Sequence, residues 1–410
     1  MTLYYVPLES YIERYTMQWS APITGWLERN WIKANVNYKR IDGEESLRKE
    51  KPIKAGCVLD AVKRSKFCFS QISRLLTLAE AGELHDDDVI YFDDFWTPGM
   101  EALPYAFTLL GVKPKMFAFL HAQSVDEYDF TTKMLPWIRR YESGNGIILD
   151  GIFVCCPLLK HLVVDGGIAS KEKVFVTGHP FNSEEVMERM SMAYDTFSRH
   201  HRIGVDNSKR SNHVIWSSRW DKEKNPEFFL KVAGRVIHKM PETKFIICTS
   251  SPSLRSNDQR LLEVLKFAQS IYPENAIVKE GLSKEAYYAE LIESKVQFNS
   301  AYQDFVAISL LEASVAGCYP IYPNYRSFPE TFLYTRDYTY DVWNIDKAAN
   351  KVLEILGRED LWTHSEIRKR AWIHERYDTS WLRMLKIMGL YDGEVSDPYD
   401  ISQTENKVQA

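Results

Sequence analysis

The side chains best suited to chemistry lie in the second half of the chain. Asp304 opens a loop, and Glu312 follows eight residues later inside the apolar run Ile308-Ser309-Leu310-Leu311-Glu312-Ala313-Ser314-Val315-Ala316. Gly317 then closes that helical pattern, and a short apolar run ends at Pro323. Burying a carboxylate on an apolar helix is costly unless it meets a hydrogen-bonding partner. An ionised carboxylate only accepts hydrogen bonds, so the hydroxyls of a sugar or a ribose are natural partners for such a pair. Protein donors are the alternative. Upstream, Arg219 and Lys224 flank a loop that leads from a strand pattern into a helix start at Asn225-Pro226. Two permanent cations beside the free N–H groups of a helix N-terminus suit a pyrophosphate; a solvated charged turn has the same composition. Gly281-Leu282-Ser283-Lys284 stands at another strand end, with Ser283 as the expected N-cap. Ser327-Phe328-Pro329-Glu330 completes the set.

These residues need strand ends to carry them, and the pattern supplies them. Short apolar runs alternate with amphipathic stretches along most of the chain, which indicates an α/β protein with parallel sheets covered by helices. Strands are expected at Leu3–Val6, Val36–Ile41, Val89–Phe92, Met116–Leu120, Ile152–Val154 and Val174–Val176. After the polar helix pattern Ser183–Ile203 and the linker-like Gly204–Asn212, strands are expected at His213–Ser217, Lys244–Cys248, Ala276–Lys279, Val296–Asn299 and Tyr319–Tyr322. Helices are expected at Val58–Ala81, Gly99–Leu110 and Pro157–Asp165, and in a C-terminal series over Asp346–Gly357, Arg358–Tyr377 and Thr379–Met388. The expected division is 1–205, 206–375, a returning helix over 376–390 and a flexible tail over 391–410. In such sheets ligands bind beyond the carboxyl ends of the strands, and a cleft between two domains is the expected site.

Composition narrows the class. A chain of 410 residues exceeds one typical core. Its formal net charge of −5 provides no global field for nucleic acid, which leaves only local basic patches. The six cysteines include no pair at zinc spacing, and most sit in apolar runs, as buried thiols of a reducing compartment do. Residues 1–8 lack the charged and apolar regions of a signal peptide, and no apolar run is long enough to span a membrane. The sequence therefore reads as cytoplasmic and soluble, with no metal site; Asp86-Asp87-Asp88 reads as a solvated loop before a strand.

The second half resembles the nucleotide-binding domain of the family-four retaining glycosyltransferases, which have the GT-B fold. Their G-R-x4-K-[GN] after a strand is matched by Ser218-Arg219 through Lys224-Asn225, with Ser for Gly. Their E-x7-E and following helix and strand are matched from Asp304 to Pro320, and their later P-E by Pro329-Glu330. The order holds over 212–390. The resemblance implies two Rossmann-like domains facing across a cleft, with C-terminal helices crossing back to the first. It implies a UDP-sugar donor, no tightly bound cofactor, and transfer to a hydroxyl with retention. Arg219 and Lys224 would hold the diphosphate and stabilise the departing nucleotide. Glu312 would accept from the ribose, Asp304 would face the transferred sugar, and backbone amides of Phe305, Val306, Ala307 and Ile308 would approach the phosphate. Gly281 and Leu282 would lie by the base. Two departures stand out: the first acid is Asp, a methylene shorter than Glu, and the usual G-F-G is Phe305-Val306-Ala307.

The first half resembles the family's acceptor domain more loosely. His121, ending Phe119-Leu120-His121, fits a histidine that touches the donor sugar, while Asp93-Asp94-Phe95-Trp96 ends another strand and offers Asp94 to an acceptor hydroxyl. The usual Gly-rich loop after the opening strand is replaced by Pro7–Trp19. Tyr4–Glu9 with Arg14-Tyr15-Thr16 resembles glycosyltransferases of large bacteriophages, some of which glycosylate hydroxymethylated pyrimidines in double-stranded DNA. That resemblance implies Glu9, Arg14, Tyr15, Asp93 and Trp96 at the acceptor, and a flipped base held among aromatics such as Tyr11, Trp19, Trp26 and Trp31. Phosphate contacts would come from Lys33, Lys39, Arg40, Lys49, Lys51, Lys54, Lys63, Arg64 and Lys66. Transfer to an envelope saccharide or lipid-linked acceptor is the rival enzymatic reading, and a nucleotide-sugar-binding protein without catalysis is the third.

Overall fold

The computed structural model describes residues 1–9, 37–44, 61–121, 124–128, 130–201, 210–358 and 373–399. Arg14 and Tyr15, the aromatics at 11, 19, 26 and 31, Lys33, Lys49, Lys51, Lys54 and most of the expected helix 358–377 lie outside them.

The chain forms two compact units. One is Met1–Pro180 with Asp378–Ala410, and the other is Phe181–Tyr377. The first holds a parallel sheet of β1 (Thr2–Val6), β2 (Asn37–Arg40), β3 (Val89–Phe92), β4 (Lys115–Phe119), β5 (Gly151–Val154) and β6 (Val174–Val176), in the order β2-β1-β3-β4-β5-β6. Its described helices are α1 (Ala61–Glu80), α2 (Leu103–Leu110), α3 (Leu135–Ile148) and α4 (Pro157–Asp165). All four residues of β3 and of β5 are buried, as a strand covered on both faces requires, and this is why both read as unbroken apolar runs.

The second unit repeats the plan. Its strands are β7 (Ser211–Trp216), β8 (Lys244–Cys248), β9 (Ala276–Lys279), β10 (Ser294–Phe298), β11 (Tyr319–Pro323) and β12 (Thr339–Tyr340), in the order β12-β11-β10-β7-β8-β9. Its helices are α5 (Ser183–His201), α6 (Pro226–Lys239), α7 (Gln259–Ile271), α8 (Lys284–Glu293), α9 (Ile308–Ala316), α10 (Phe328–Thr331) and α11 (Ile345–Leu356). Then α12 (Ile373–Ile387) carries the chain from the second unit back into the first.

Two boundaries differ from the sequence expectation. The helix over 183–201 is amphipathic rather than uniformly polar: Val186, Met190 and Ala193 are buried in the second unit's core. The division therefore falls at Pro180/Phe181, not at 205/206. At the other end, residues 391–399 are fastened. Asp397 takes two hydrogen bonds from Arg383, at 2.6 and 2.9 Å, and the Tyr399 hydroxyl donates to the Cys155 carbonyl at 3.2 Å. Trp381, also on α12, is buried against Tyr91 with ring centroids 5.9 Å apart.

Helix ends follow local chemistry. Proline occupies the first or second position of α2, α3, α4 and α6, where its missing N–H has no intrahelical partner to lose. Gly317 ends α9 at φ 74°, and its N–H bonds the Ala313 and Ser314 carbonyls; a left-handed cap of this kind favours glycine.

Candidate functional site

Each sheet has its own point where the strand order reverses, and several of the expected site residues stand on the loops beside it. In the second unit the chain runs outward from β7 through β8 to β9, then returns to β10 on the opposite flank of β7. The C-terminal ends of β7 and β10 thus flank the topological switch point, where open α/β sheets leave a crevice for ligands. In the first unit the same relation holds between β1 and β3.

At the β7/β10 switch point two loops are tied together. Lys224 ends a tight turn over Lys222–Lys224, and Asn225, at φ 51°, makes the left-handed step into α6. Asn tolerates that conformation better than most residues. The Lys224 ammonium lies 2.5 Å from Asp304 Oδ1 and 3.2 Å from the Gln303 carbonyl. Ser300 Oγ donates to the Lys224 carbonyl at 2.9 Å, and the Tyr302 N–H to the Glu223 carbonyl at 2.9 Å. Ser327, from the loop after β11, donates to the Asp304 carbonyl at 2.6 Å. Arg219 stands at the rim, with 53% of its side chain exposed, and pairs with Glu223 at 2.6 Å. It is not turned inward.

Glu312 is buried on α9, and its Oε1 pairs with the Lys284 ammonium at 2.5 Å and accepts from the Tyr288 hydroxyl at 3.2 Å. Burial and the Glu312 carboxylate both push the Tyr288 phenol well above its usual range, so it remains a donor. Ser283 caps α8 as its sequence position indicates, accepting from the Ala286 N–H at 3.2 Å. One of the four amides expected near phosphate is already engaged, as are those of the two residues expected by the base. The Ile308 N–H bonds the Val306 carbonyl at 3.0 Å, Gly281 N–H the Ser251 carbonyl at 2.8 Å, and Leu282 N–H the Thr249 carbonyl at 3.1 Å. A base beside Gly281-Leu282 would thus meet carbonyl oxygens or side chains rather than these donors, and the phosphate would be left with the amides of Phe305, Val306 and Ala307.

At the β1/β3 switch point a guanidinium takes the central place. Arg64 of α1 is buried and pairs with Glu9 at 2.5 Å and with Asp94, and it donates to the Trp96 carbonyl at 2.8 Å. Two of the three carboxylates expected at the acceptor, Glu9 and Asp94, therefore meet across one cation. Their field outweighs desolvation and holds the Arg64 guanidinium above its ordinary value. Asp93 is fully buried; Tyr5 OH at 2.5 Å and Leu8 N–H at 3.2 Å both donate to its Oδ2. It faces the sheet's own residues. His121 Nε2 donates to the Asp93 carbonyl at 2.7 Å, and burial lowers its pKa, so the imidazole is neutral at pH 7. Trp96 is half-buried, with its ring 5.8 Å from that of Tyr141.

Among the described residues of the basic rim expected on the early part of the chain, three cations are already paired. Arg64 is internal, Lys39 pairs with Glu83 at 2.9 Å, and Arg40 pairs with Asp42 at 2.7 Å. The acidic run at 86–88 is not simply solvated either. Asp88 is buried and accepts from the Thr2 N–H at 2.6 Å and the His85 N–H at 2.9 Å. No group of three or more potential metal ligands occurs among the described residues.

No family model matches the chain. A tRNA-queuosine alpha-mannosyltransferase of Drosophila melanogaster is 27% identical over 139 residues, which is 34% of this chain and 35% of that protein. The chain thus matches about a third of the length of that curated relative. Among solved structures, a UDP-forming trehalose-phosphate synthase from Burkholderia xenovorans superposes with a TM-score of 0.64 at 12% identity, covering 95% of this chain and 99% of that one. A sucrose-phosphate synthase from Thermosynechococcus elongatus gives 0.61 at 11% identity over 94% and 98%. The fold is GT-B. Staphylococcus aureus TarM, in a complex with UDP, is similar to this GT-B chain at TM-score 0.52 and 12% identity, over 78% of this chain and 59% of that one. The GT-B fold that the family resemblance implies is the one observed. The Lys284–Glu312 pair and the buried place of Arg64 were not foreseen. The one available signal was a lysine in the first turn of a helix, against the helix dipole.

Proposed function

We propose that the chain is a glycosyltransferase that moves a sugar from a nucleoside diphosphate sugar to a hydroxyl, with retention. The observation that carries this reading is the pairing at the second unit's switch point, where Lys224 meets Asp304 at 2.5 Å beside an exposed Arg219. Two cations at a helix start suit a diphosphate, and two carboxylates suit the hydroxyls on either side of it.

In the reaction the bond between the anomeric carbon and the diphosphate oxygen breaks, and its electron pair leaves with the nucleotide. Arg219, Lys224 and the N-terminal dipole of α9 stabilise that charge. The acceptor oxygen bonds to the same face of the anomeric carbon, and its proton passes to the departing diphosphate. Asp304 fixes the sugar, and Glu312 fixes the ribose.

For the acceptor we favour a hydroxyl on a modified nucleobase in a nucleic acid. The sequence of the first unit resembles enzymes of that kind, and the curated relative is itself named for a tRNA base. Glu9, Asp94 and Trp96 would then meet the base. A hydroxymethylated pyrimidine in phage DNA is one such acceptor and a tRNA base another. The test incubates the full chain with UDP- and GDP-sugars and, in parallel, with tRNA, hydroxymethylated DNA and lipid-linked saccharide, and reads product mass. A hexose or pentose increment on a nucleic acid supports the reading. An increment only on the saccharide moves the acceptor to the envelope class, and no transfer with any donor sinks the enzymatic reading.

A further inference from the structure

Lys284 stands where a cation is electrostatically unfavourable. It is the first residue of α8, directly after the capping Ser283, and faces the positive end of the helix dipole. Its ammonium nevertheless has a well-defined place. It lies 2.5 Å from Glu312 Oε1 and 5.2 Å from the ring centroids of both Tyr287 and Tyr288. Cations are drawn to aromatic faces at such distances. Those two rings are themselves anchored. The Tyr287 hydroxyl is 3.0 Å from Ser217 Oγ, which also accepts from Gln297 Nε2 at 3.0 Å, and the Tyr288 hydroxyl donates to Glu312.

The ion pair with Lys284 and the hydrogen bond from Tyr288 both fall on the same oxygen of Glu312. Among the described residues none donates to Oε2. A buried carboxylate is costly unless it is paired, and its two oxygens have room for several donors. Lys284 meets the first need without occupying the second oxygen.

We propose that Lys284 is a positioning residue for nucleotide recognition: by clamping Oε1 of Glu312 it presents Oε2 to one ribose hydroxyl and makes the donor site selective for ribonucleotides over deoxyribonucleotides. This rests on the donor reading above. A lysine that only stabilised the helix would alter affinity for both kinds of nucleotide alike. A clamp alters the ratio between them.

The experiment titrates UDP and GDP, and the 2′-deoxy and 3′-deoxy forms of each, into the full chain and into Lys284→Met and Lys284→Arg. The wild-type chain is expected to bind its ribonucleotide about tenfold or more tightly than the form lacking the bonded hydroxyl, the scale of one hydrogen bond to a charged group. Lys284→Met is expected to bring that ratio near one, and Lys284→Arg to restore most of it. Should the methionine variant fail to fold by urea titration, Lys284→Gln, which retains a donor without the charge, is expected to give an intermediate ratio. An unchanged ratio in a folded Met or Gln variant overturns the proposal. A wild-type chain that binds neither UDP nor GDP overturns the donor reading itself, so the two failures are distinct.

Discussion

Lys224 and Asp304 lie 80 positions apart in sequence and 2.5 Å apart in space, joining the loop after β7 to the loop after β10. Both are only partly shielded, with 12% and 24% of their side chains exposed. In the proposed donor site the pair would set the separation between the phosphate contact and the sugar contact. Replacing Lys224 by Ala removes a charge from the leaving group and releases Asp304. Turnover should fall by about 10² to 10³, while stability in urea falls by roughly 1–3 kcal/mol, because the partly buried Asp304 carboxylate loses a charged hydrogen-bond partner. A Lys224→Ala enzyme with near wild-type kcat/KM would remove Lys224 from the donor site.

The Arg64 cluster makes a different prediction. The guanidinium and its two carboxylate partners are all buried. Removing one member of a buried ion cluster leaves uncompensated charge, at a cost of about 3–5 kcal/mol. Arg64→Met should therefore lower unfolding stability by several kcal/mol in urea titration. Were Arg64 instead a nucleic-acid phosphate contact, its loss would leave stability unchanged and reduce the salt dependence of binding. The buried geometry predicts the first outcome.

His121 gives a pH dependence of definite sign. Its folded-state pKa is lowered from 6.5 by burial and by the nearby Arg64, against the opposing pull of Asp94 and the Asp93 carbonyl. The unfolded chain therefore takes up a proton near pH 6.5 that the folded chain still refuses. This contribution to stability is present above pH 6.5 and is lost as pH falls from there toward the lowered value. His121→Gln keeps a donor for the Asp93 carbonyl and should flatten the fall in urea midpoint between pH 6.5 and pH 5. His213, whose pKa burial also lowers, accounts for part of the slope that remains. A slope identical to wild type would mean that His121 titrates as if exposed.

How far these features were legible in the sequence depends on their range. Strands β3, β6, β8 and β9 have the bounds of their sequence runs, because each is a short, mostly apolar stretch; of the four, β3 is buried at every position. The Asp304–Glu312 spacing was readable because it is local to one loop and one helix. Strand β12 has only two residues, too short for a pattern, and α3 over Leu135–Ile148 hides its apolar face among charges and glycines. One of those glycines, Gly146, sits where a Cβ would come within 1.9 Å of the Ile168 carbonyl, a close approach that only the fold can show. Arg64 read as one of several surface cations, since the carboxylates that bury it come from Glu9 and Asp94, in other elements. Lys284 was quoted as part of a strand-end motif, but its partner lies 28 positions away on α9. Long-range ion pairs leave no periodic trace, and for that reason both were found only in the structure.

The central claim is that a nucleoside diphosphate binds at the switch point of the second unit, held by Arg219 and Lys224 at the phosphates and by Glu312 at the ribose. Titration of UDP and GDP into the wild-type chain and into Arg219→Ala and Glu312→Ala tests it most directly. Arg219 is exposed, so its loss leaves the fold intact and isolates the ligand contact. The account predicts saturable binding to the wild-type chain, weakened about tenfold or more by each substitution. Binding that is equally tight in all three proteins would contradict it.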